Sequence, residues 1–340
     1  MARILMSLLV LVASFLWSGS AALAQNAALI DAAKKEGGKV SVYGSLEAET
    51  VDTIKKAFEK RTGLQMDYWR ASSTKVMDRA LSEHRAGRPL FDVVLTNRAP
   101  MQILQTEGVF AKYDSPSFKG FPRDAFDPNL GPAYRYTVVG ILFNSTQVKA
   151  GDAPKSLEDL LNPKYKGKVV MPDPTQHTTT AAWLANLHKV MGGKERADKY
   201  IRDLAATKPL LVESLLPAAR RVTTGETPIA ISYVKYAYVF PKREGAPVDY
   251  VRLPQMLGES HLIGLAVKAP HTSAGKAFID FFLGQESMKI MAEEGEFVNL
   301  EGIYPPLPGA EKIKRLGMDE FSTEEFKKLR DDYKRIFFGS

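Results

Sequence analysis

From Lys39 onward the apolar positions fall into two alternating rhythms. "KVSVY" alternates polar and apolar residues with period two and predicts a strand. After the turn "GSLEAE", the stretch "TVDTIKKAFEKRTG" sets Val51, Ile54 and Phe58 on one helical face and stops at Gly63. "LQMDYWRAS" then predicts a second strand, "STKVMDRALSEHRAG" a second helix and "FDVVLT" a buried third strand. Such alternation argues an α/β protein with an open, largely parallel sheet and helices on both faces. Pro116, Pro122, Pro128 and Pro132 punctuate the polar loop that follows, and "YTVVGILFNS" beyond it is the longest strand candidate. The rhythm resumes with a strand at "KVVM", helices at "TTTAAWLANLHKVMGG" and "ADKYIRDLAA", and a strand at "PIAIS". A second long strand, "HLIGLAVKA", precedes the helices "SAGKAFIDFFLG" and "ESMKIMAEEG". Ser322, with Glu325 three residues on, is a capping-box pattern opening the amphipathic stretch "STEEFKKLRDDYKRIFF".

The two long strands read as crossings between two α/β lobes hinged around one cleft. Lobe 1 is then 25–136 with 262–308, lobe 2 is 137–261, and 309–340 is a C-terminal helical tail packing on lobe 2. Ligands of open α/β sheets sit beyond the carboxyl ends of the strands. The loops to weigh are therefore "YGSLEAE", "LTNRAP", "AYRY", "DPTQHTTT" and "SYVKYAY", which supply Gly44, Ser45, Glu47, Thr96, Asn97, Arg135, Tyr136, Thr175, Gln176, His177, Thr178, Tyr233 and Tyr236.

Composition narrows the class. "MARILMSLLVLVASFLWSGSAALAQ" has a basic start at Arg3, an apolar run too short to span a bilayer, and small residues ending at Ala24, so it reads as a signal peptide over 1–24, cleaved after Ala24. The expected location is the periplasm, with a monomeric, soluble mature chain. No cysteine occurs, which removes disulfides, thiolate metal clusters and thiol nucleophiles together, and leaves core burial as the source of stability. The net charge of +7 favours anionic ligands or partners only as a field effect. Bases and acids interleave along "EEFKKLRDDYKR" and no run of five basic residues occurs, which argues against nucleic-acid binding. HExxH, GxGxxG, the P-loop and GxSxG are all absent, and "GESHL" lacks the second glycine, so nothing points to an enzyme.

The succession "KVSVYGSLEAET", "FEKRTGLQM", "RPLFDVVLTNR", "VGILFNSTQV", "PKSLEDLLNPKYKGKVVMPDPTQ", "RRVTTGETPIAISY" and "GLAVKAPHTSAGKAFIDFFLGQESMKIMAEEGEF" resembles the periplasmic solute-binding proteins of ABC importers, in the group that includes the ferric-iron-binding proteins. It spans nearly all of the chain after the signal peptide. The resemblance implies the periplasmic-binding-protein (Venus flytrap) fold, two α/β lobes joined by two hinge strands. It implies no catalysis and no resident cofactor, only a small-molecule or ion ligand delivered to an inner-membrane ABC permease with its ATPase. A ligand that touches both lobes favours the closed form and shifts the hinge equilibrium toward it.

In the iron-binding members an adjacent tyrosine pair supplies phenolate ligands. Here the match falls on Tyr233-Val234, so the first phenol is kept and the second lost; Tyr236 stands one turn on if "SYVKYAY" opens a helix capped by Ser232. On that reading Fe(III), held by Tyr233, Tyr236 and Glu47 with a synergistic anion, is the transported ligand. Against it stands a small organic anion of phosphonate, phosphate-ester or carboxylate type, held by Ser45, Thr175, Thr178, Arg135 and Tyr233, and the lost phenol inclines the reading that way. A ligand-sensing module shares the same fold. Each candidate also has an ordinary use: Ser45, Glu47 and the threonines as helix caps, His177 as a solvated donor, Tyr236 and Phe240 as core beneath the sheet.

Overall fold

The computed structural model of the protein describes residues 27–149, 151–319 and 321–339. The expected signal peptide and its cleavage point lie outside the described residues. In chain order, helix α1 (27–35) leads into β1 (Lys39–Gly44), and then α2 (Ala48–Thr62), β2 (Gln65–Arg70), α3 (Ser73–Arg85), β3 (Val93–Asn97) and α4 (Arg98–Thr106) alternate. Short strands β4 (Phe110–Ala111), β5 (Phe126–Asp127) and β6 (Gly131–Pro132) occupy the proline-rich region before the long β7 (Arg135–Asn144). Next come β8 (Val169–Pro172), α5 (Thr178–Asn186), α6 (Lys194–Ala206), β9 (Leu210–Val212), α7 (Leu215–Thr223), β10 (Ile229–Tyr233), α8 (Tyr236–Glu244) and β11 (Val248–Tyr250). The chain finishes with β12 (Gln255–Ala266), α9 (Thr272–Phe282), α10 (Gln285–Glu293), β13 (Phe297–Val298), β14 (Lys314–Gly317) and α11 (Thr323–Phe338).

The chain divides into two compact units. Unit 1 runs up to Pro132 and takes in Leu262–Ile290; unit 2 is Ala133–His261 with the chain from Met291 on. In unit 1, β1 lies between β2 and β3, parallel to both, with Lys39 opposite Gln65 and Val42 opposite Val93. The second half of β12 completes that sheet beside β3. Helix α2 buries Val51, Ile54 and Phe58, the face its spacing predicts, and Phe58 meets Phe278 of α9 edge to face with ring centres 5.4 Å apart. It ends where Gly63, at φ 71°, takes the left-handed conformation that costs a glycine no Cβ clash and returns its N–H to Glu59.

Unit 2 departs from the largely parallel sheet. Strands β8, β9 and β10 are parallel, but β7 runs antiparallel to both β10 and the first half of β12. Strand β12 begins at Gln255 rather than at the expected His261, because Gly258 and Glu259 interrupt the apolar run without ending the pairing to β7. Residues 291–308, grouped with lobe 1 from the sequence, fall in unit 2, where β13 pairs with the start of β7. Helix α5 stops at Asn186 and a 3-10 turn follows, short of the expected run to Gly193. The capping box at the start of α11 is present in both directions between Ser322 and Glu325. That helix packs on α5, with the Tyr333 hydroxyl donating to the Ala181 carbonyl at 3.3 Å.

Candidate ligand-binding site

In unit 1 the candidates gather at the carboxyl ends of β1 and β3. Gly44 is required there by close packing: a Cβ on it would lie 2.6 Å from the Tyr68 hydroxyl and 2.8 Å from Leu95 Cδ1. That approach lets the next residue, Ser45, set its hydroxyl 2.8 Å from that of Thr96, which is fully buried, while the Thr96 hydroxyl also lies 3.4 Å from Asn97 Oδ1. Ser45 therefore pairs with Thr96 across the strands instead of capping α2. Glu47 occupies the N-cap position of α2 without a side-chain cap bond and is exposed. Asn97 holds the corresponding position of α4, also without a cap bond.

In unit 2 the sheet register decides which side chains share a face. Strand β7 has β12 along one edge and, along the other, β10 followed by β13. Val139 stands between Tyr233 and Leu257, Thr137 opposite Glu259, and Arg135 between Val298 and His261. Residues directly opposite one another point to the same face, and alternate residues of β7 do so as well. Arg135, Thr137, Tyr233, Glu259 and His261 thus form one polar floor on an otherwise apolar sheet. Tyr136 points to the other face, where its Cβ fills the space a Gly258 side chain would take.

At the end of β10 the floor meets a buried ion cluster. Glu296, at 0% exposure, accepts from Arg135, from Lys235 Nζ at 2.5 Å and from the Tyr233 hydroxyl at 2.6 Å. Burial alone would raise the Glu296 carboxyl, but the Arg135 and Lys235 charges, with hydrogen bonds from Lys235 and Tyr233, hold it well below the usual carboxylate range. Two cations thus surround one carboxylate. Burial, then the Arg135 charge, push the neighbouring His261 well below its ordinary value despite Glu296, so this imidazole is neutral. Its Nε2 lies 3.0 Å from the Thr137 hydroxyl.

The loop after β8 is built by Asp173. Its carboxylate accepts from the Thr175 amide at 2.8 Å, the Thr175 hydroxyl at 2.7 Å and the Gln176 amide group at 3.0 Å, so these two candidates shape the turn. His177 is the N-cap of α5. Its Nδ1 accepts from the Thr180 N–H at 3.2 Å and lies 2.9 Å from the Thr180 hydroxyl, an acceptor role that replaces the expected solvated donor. Burial lowers its pKa to about 4, in keeping with a neutral cap. Thr178 is exposed on the first turn, and Thr179 beside it donates to Glu259 at 3.0 Å, bringing α5 over the polar floor.

Tyr236 does not share a helical cap with Ser232. Ser232 belongs to β10 and donates to the Leu215 carbonyl at 2.6 Å, while α8 starts at Tyr236 itself. The Tyr236 ring meets Tyr233 edge to face at 5.7 Å and stacks on Phe240 at 5.1 Å. Val234, in the place of the second phenol, is fully buried against Gly140. Among the described residues no three His, Asp or Glu side chains come together to hold a metal, and no helix is long and apolar enough to cross a membrane.

Sequence reasoning missed Glu296, Lys235, Thr137, Thr179, Glu259 and His261. For Glu259 and His261 a signal existed: polar residues two apart within an apolar strand mark a polar stripe on one face. Glu296 offered none, lying 161 residues from Arg135 and 63 from Tyr233.

Known proteins fit this architecture. A protein of Salmonella typhi, provisionally named a 2-aminoethylphosphonate-binding periplasmic protein, is 25% identical over 242 residues, 70% of either chain. The fold is shared with the periplasmic binding protein AfuA of Actinobacillus pleuropneumoniae, solved with exogenous fructose-6-phosphate bound (TM-score 0.62, 21% identity, 89% of this chain and 97% of that one). It is shared too with iron-bound HitA of Pseudomonas aeruginosa (TM-score 0.66, 20% identity, 88% and 98%). The sequence model of the bacterial extracellular solute-binding proteins matches residues 88–324, well over half of the chain, and the protein belongs to that family.

Proposed function

We propose that this protein is the periplasmic substrate-binding component of an ABC importer, capturing a small anionic solute of phosphonate, phosphate-ester or carboxylate type and delivering it to an inner-membrane permease with its ATPase. The observation that carries the anion is the pair of cations at the end of β10, where Arg135 and Lys235 meet on the carboxylate of Glu296 beside Tyr233. A trivalent cation on the Tyr233 phenol would meet both cations and would have to take the hydroxyl from Glu296; an anion is drawn to them. Lys235 carries three donors, and an ammonium suits phosphonate and carboxylate oxygens as a point charge. The name of the Salmonella relative and the sugar phosphate in AfuA agree with this chemistry. The contacts we assign in unit 2 are Tyr233, Lys235, Arg135 and Thr178.

The test is calorimetric titration and thermal shift of the purified protein with inorganic phosphate, 2-aminoethylphosphonate, fructose-6-phosphate, citrate and ferric citrate. We expect saturable one-to-one binding of at least one organic anion, without turnover, and no visible absorption band with ferric citrate. A visible band lost in Tyr233→Phe, with no stabilisation by any iron-free anion, would establish iron as the ligand instead.

A further inference from the structure

The C-terminal segment of unit 2 closes on the loop that leads to Thr178, and we infer that Arg330 of α11 is a positioning residue for ligand binding: it holds the β8–α5 loop in the shape that presents Thr178 to the solute. This rests on the anion reading above and adds the element that pre-organises its site. Arg330 Nε donates to the Thr175 carbonyl at 2.6 Å, across 155 residues of sequence. Asp173 shapes the loop from within, through the Thr175 amide and hydroxyl and the Gln176 side chain. The Thr175 carbonyl takes no main-chain N–H among the described residues, and its partner is Arg330.

Three further contacts fix where Arg330 stands. Tyr333 is buried and its hydroxyl donates to the Ala181 carbonyl within α5; residues three apart share a helix face, so Arg330 lies on the same side of α11. At the far end of α5, Asn186 Oδ1 accepts from the Asp319 N–H at 2.8 Å, and Lys189 Nζ donates to the Gly317 carbonyl at 2.9 Å. Strand β14 runs parallel beside the first half of β12 with Gly317 opposite Gly258, and the Met318 N–H donates to the Gly258 carbonyl at 3.0 Å. The segment therefore reaches from the floor strand to the end, middle and start of α5, and Thr179, donating to Glu259, joins α5 back to that strand. The other contacts hold helices and a strand, whereas the Arg330 bond holds the loop.

Its placement suits a brace for the site more than one for the fold. Arg330 is exposed, and surface substitutions usually leave global stability little changed. Gln176 and Thr178 are exposed as well, so burial does little to keep this stretch in one shape. A loop that is competent only part of the time lowers the apparent affinity by that fraction, so releasing it to about a tenth of its competent population weakens binding about tenfold. Local release of this kind leaves the global melt almost untouched.

The experiment sets Arg330→Met, Arg330→Lys and Arg202→Met beside the wild type. Arg202 is an exposed arginine of α6, so its loss removes the same charge without touching the loop. Each protein is titrated calorimetrically with inorganic phosphate, 2-aminoethylphosphonate, fructose-6-phosphate, citrate and ferric citrate. Thermal melting and amide hydrogen exchange are read without ligand, the latter at the Thr175, Gln176 and His177 N–H groups that Asp173 holds. We expect Arg330→Met to bind the anion about tenfold more weakly and to exchange these amides at least about fivefold faster, while melting within about 2 °C of wild type. Arg330→Lys keeps a charged donor and should bind within about threefold of wild type, and Arg202→Met should match wild type. Affinity of Arg330→Met within about twofold of wild type, unchanged loop exchange, or an equal loss in Arg202→Met overturns the positioning role and leaves the anion reading standing. So does a fall in melting temperature of more than about 5 °C in both Arg330 variants, which would make the residue a brace of the fold. Binding of ferric citrate alone overturns the anion reading, and the loop exchange and ferric citrate affinities of the variants then uphold or overturn the role of Arg330. Binding of none of these compounds overturns both.

Discussion

Glu296→Gln tests the electrostatics of unit 2 most directly. The variant keeps the shape but turns one of the two acceptor oxygens, Oε1 facing Lys235 or Oε2 facing Tyr233 and Arg135, into an amide donor, and it removes the charge that Arg135 and Lys235 share. In the variant both cations lose this carboxylate, on side chains 3% and 10% exposed. Each lost attraction is about 4 kcal/mol at 4 Å for an effective dielectric near 20. Against this stands the desolvation of the carboxylate, which the variant no longer bears, so the net cost is that of breaking a buried pair, about 3–5 kcal/mol. For a protein of this size about 1 kcal/mol corresponds to roughly 1–2 °C, so the expected fall in melting temperature at pH 7 is roughly 3–10 °C, read by calorimetry. Adding Arg135→Met removes one of the two cations left without that carboxylate, and the double variant should melt above Glu296→Gln alone. The acid side gives the sign check. Because the folded carboxyl lies below its ordinary value of 4.5, its contribution is fully present above that pH and is lost as the pH falls toward the folded value, so the gap between wild type and variant narrows in acid. A variant melting within about 2 °C of wild type at pH 7, or a double variant that loses the sum of both single effects, would refute the account.

Other outcomes follow from the same geometry. Thr96→Val removes the partner of the Ser45 hydroxyl and should cost about 1 kcal/mol, seen as a melting temperature lower by roughly 1–2 °C. His177 titrates at about 4 when folded against 6.5 unfolded, so the stability it contributes is complete above pH 6.5 and lost as the pH falls to about 4. Relative to wild type, His177→Asn, which keeps a cap acceptor but does not titrate, should gain on the order of 2 kcal/mol between pH 7 and pH 4.5 in urea melts; an unchanged difference would count against the buried neutral cap. Gly258→Ala places a Cβ 2.6 Å from Tyr136 Cβ and should destabilise the protein by about 1–3 kcal/mol in the same assay.

The period of the apolar positions was enough to read α2, β1, β3 and β7, because each buries one face or both and its spacing says so. It failed where a strand carries a polar stripe. The first half of β12 escaped notice since Gly258, Glu259 and His261 give it neither a clean alternation nor an apolar run, yet that half supplies two residues of the polar floor. The candidate list named loop positions and missed the buried charges. Ser45, Thr96 and Tyr233 lie at strand ends, where topology alone places them, whereas the ion cluster beside Tyr233 is built on Glu296 and Lys235. Lys235 stood in plain view between two tyrosines and was passed over for its aromatic neighbours. Glu296 pairs across 161 residues of sequence, a separation no local pattern spans.

The place of the missing second phenol can be tested by restoring it. Val234 is fully buried, donates its N–H to the Val138 carbonyl at 3.0 Å, and sets its Cγ2 within 2.7 Å of where a Gly140 side chain would begin. Its side chain thus packs against β7. A tyrosine there must either overpack the strand, at a cost of about 1–3 kcal/mol, or turn outward and pull the chain away from the Val138 carbonyl. Turned outward, its phenol would join a neighbourhood that already holds the Arg135 and Lys235 charges, where a ferric ion meets repulsion that a second phenolate only partly offsets. Val234→Tyr should therefore melt lower than wild type and show no visible band with ferric citrate, whereas Val234→Tyr combined with Lys235→Met removes one of the two cations and should bind iron better than either single variant. A visible band in Val234→Tyr alone would mean that sterics, and not charge, separates this chain from iron binding.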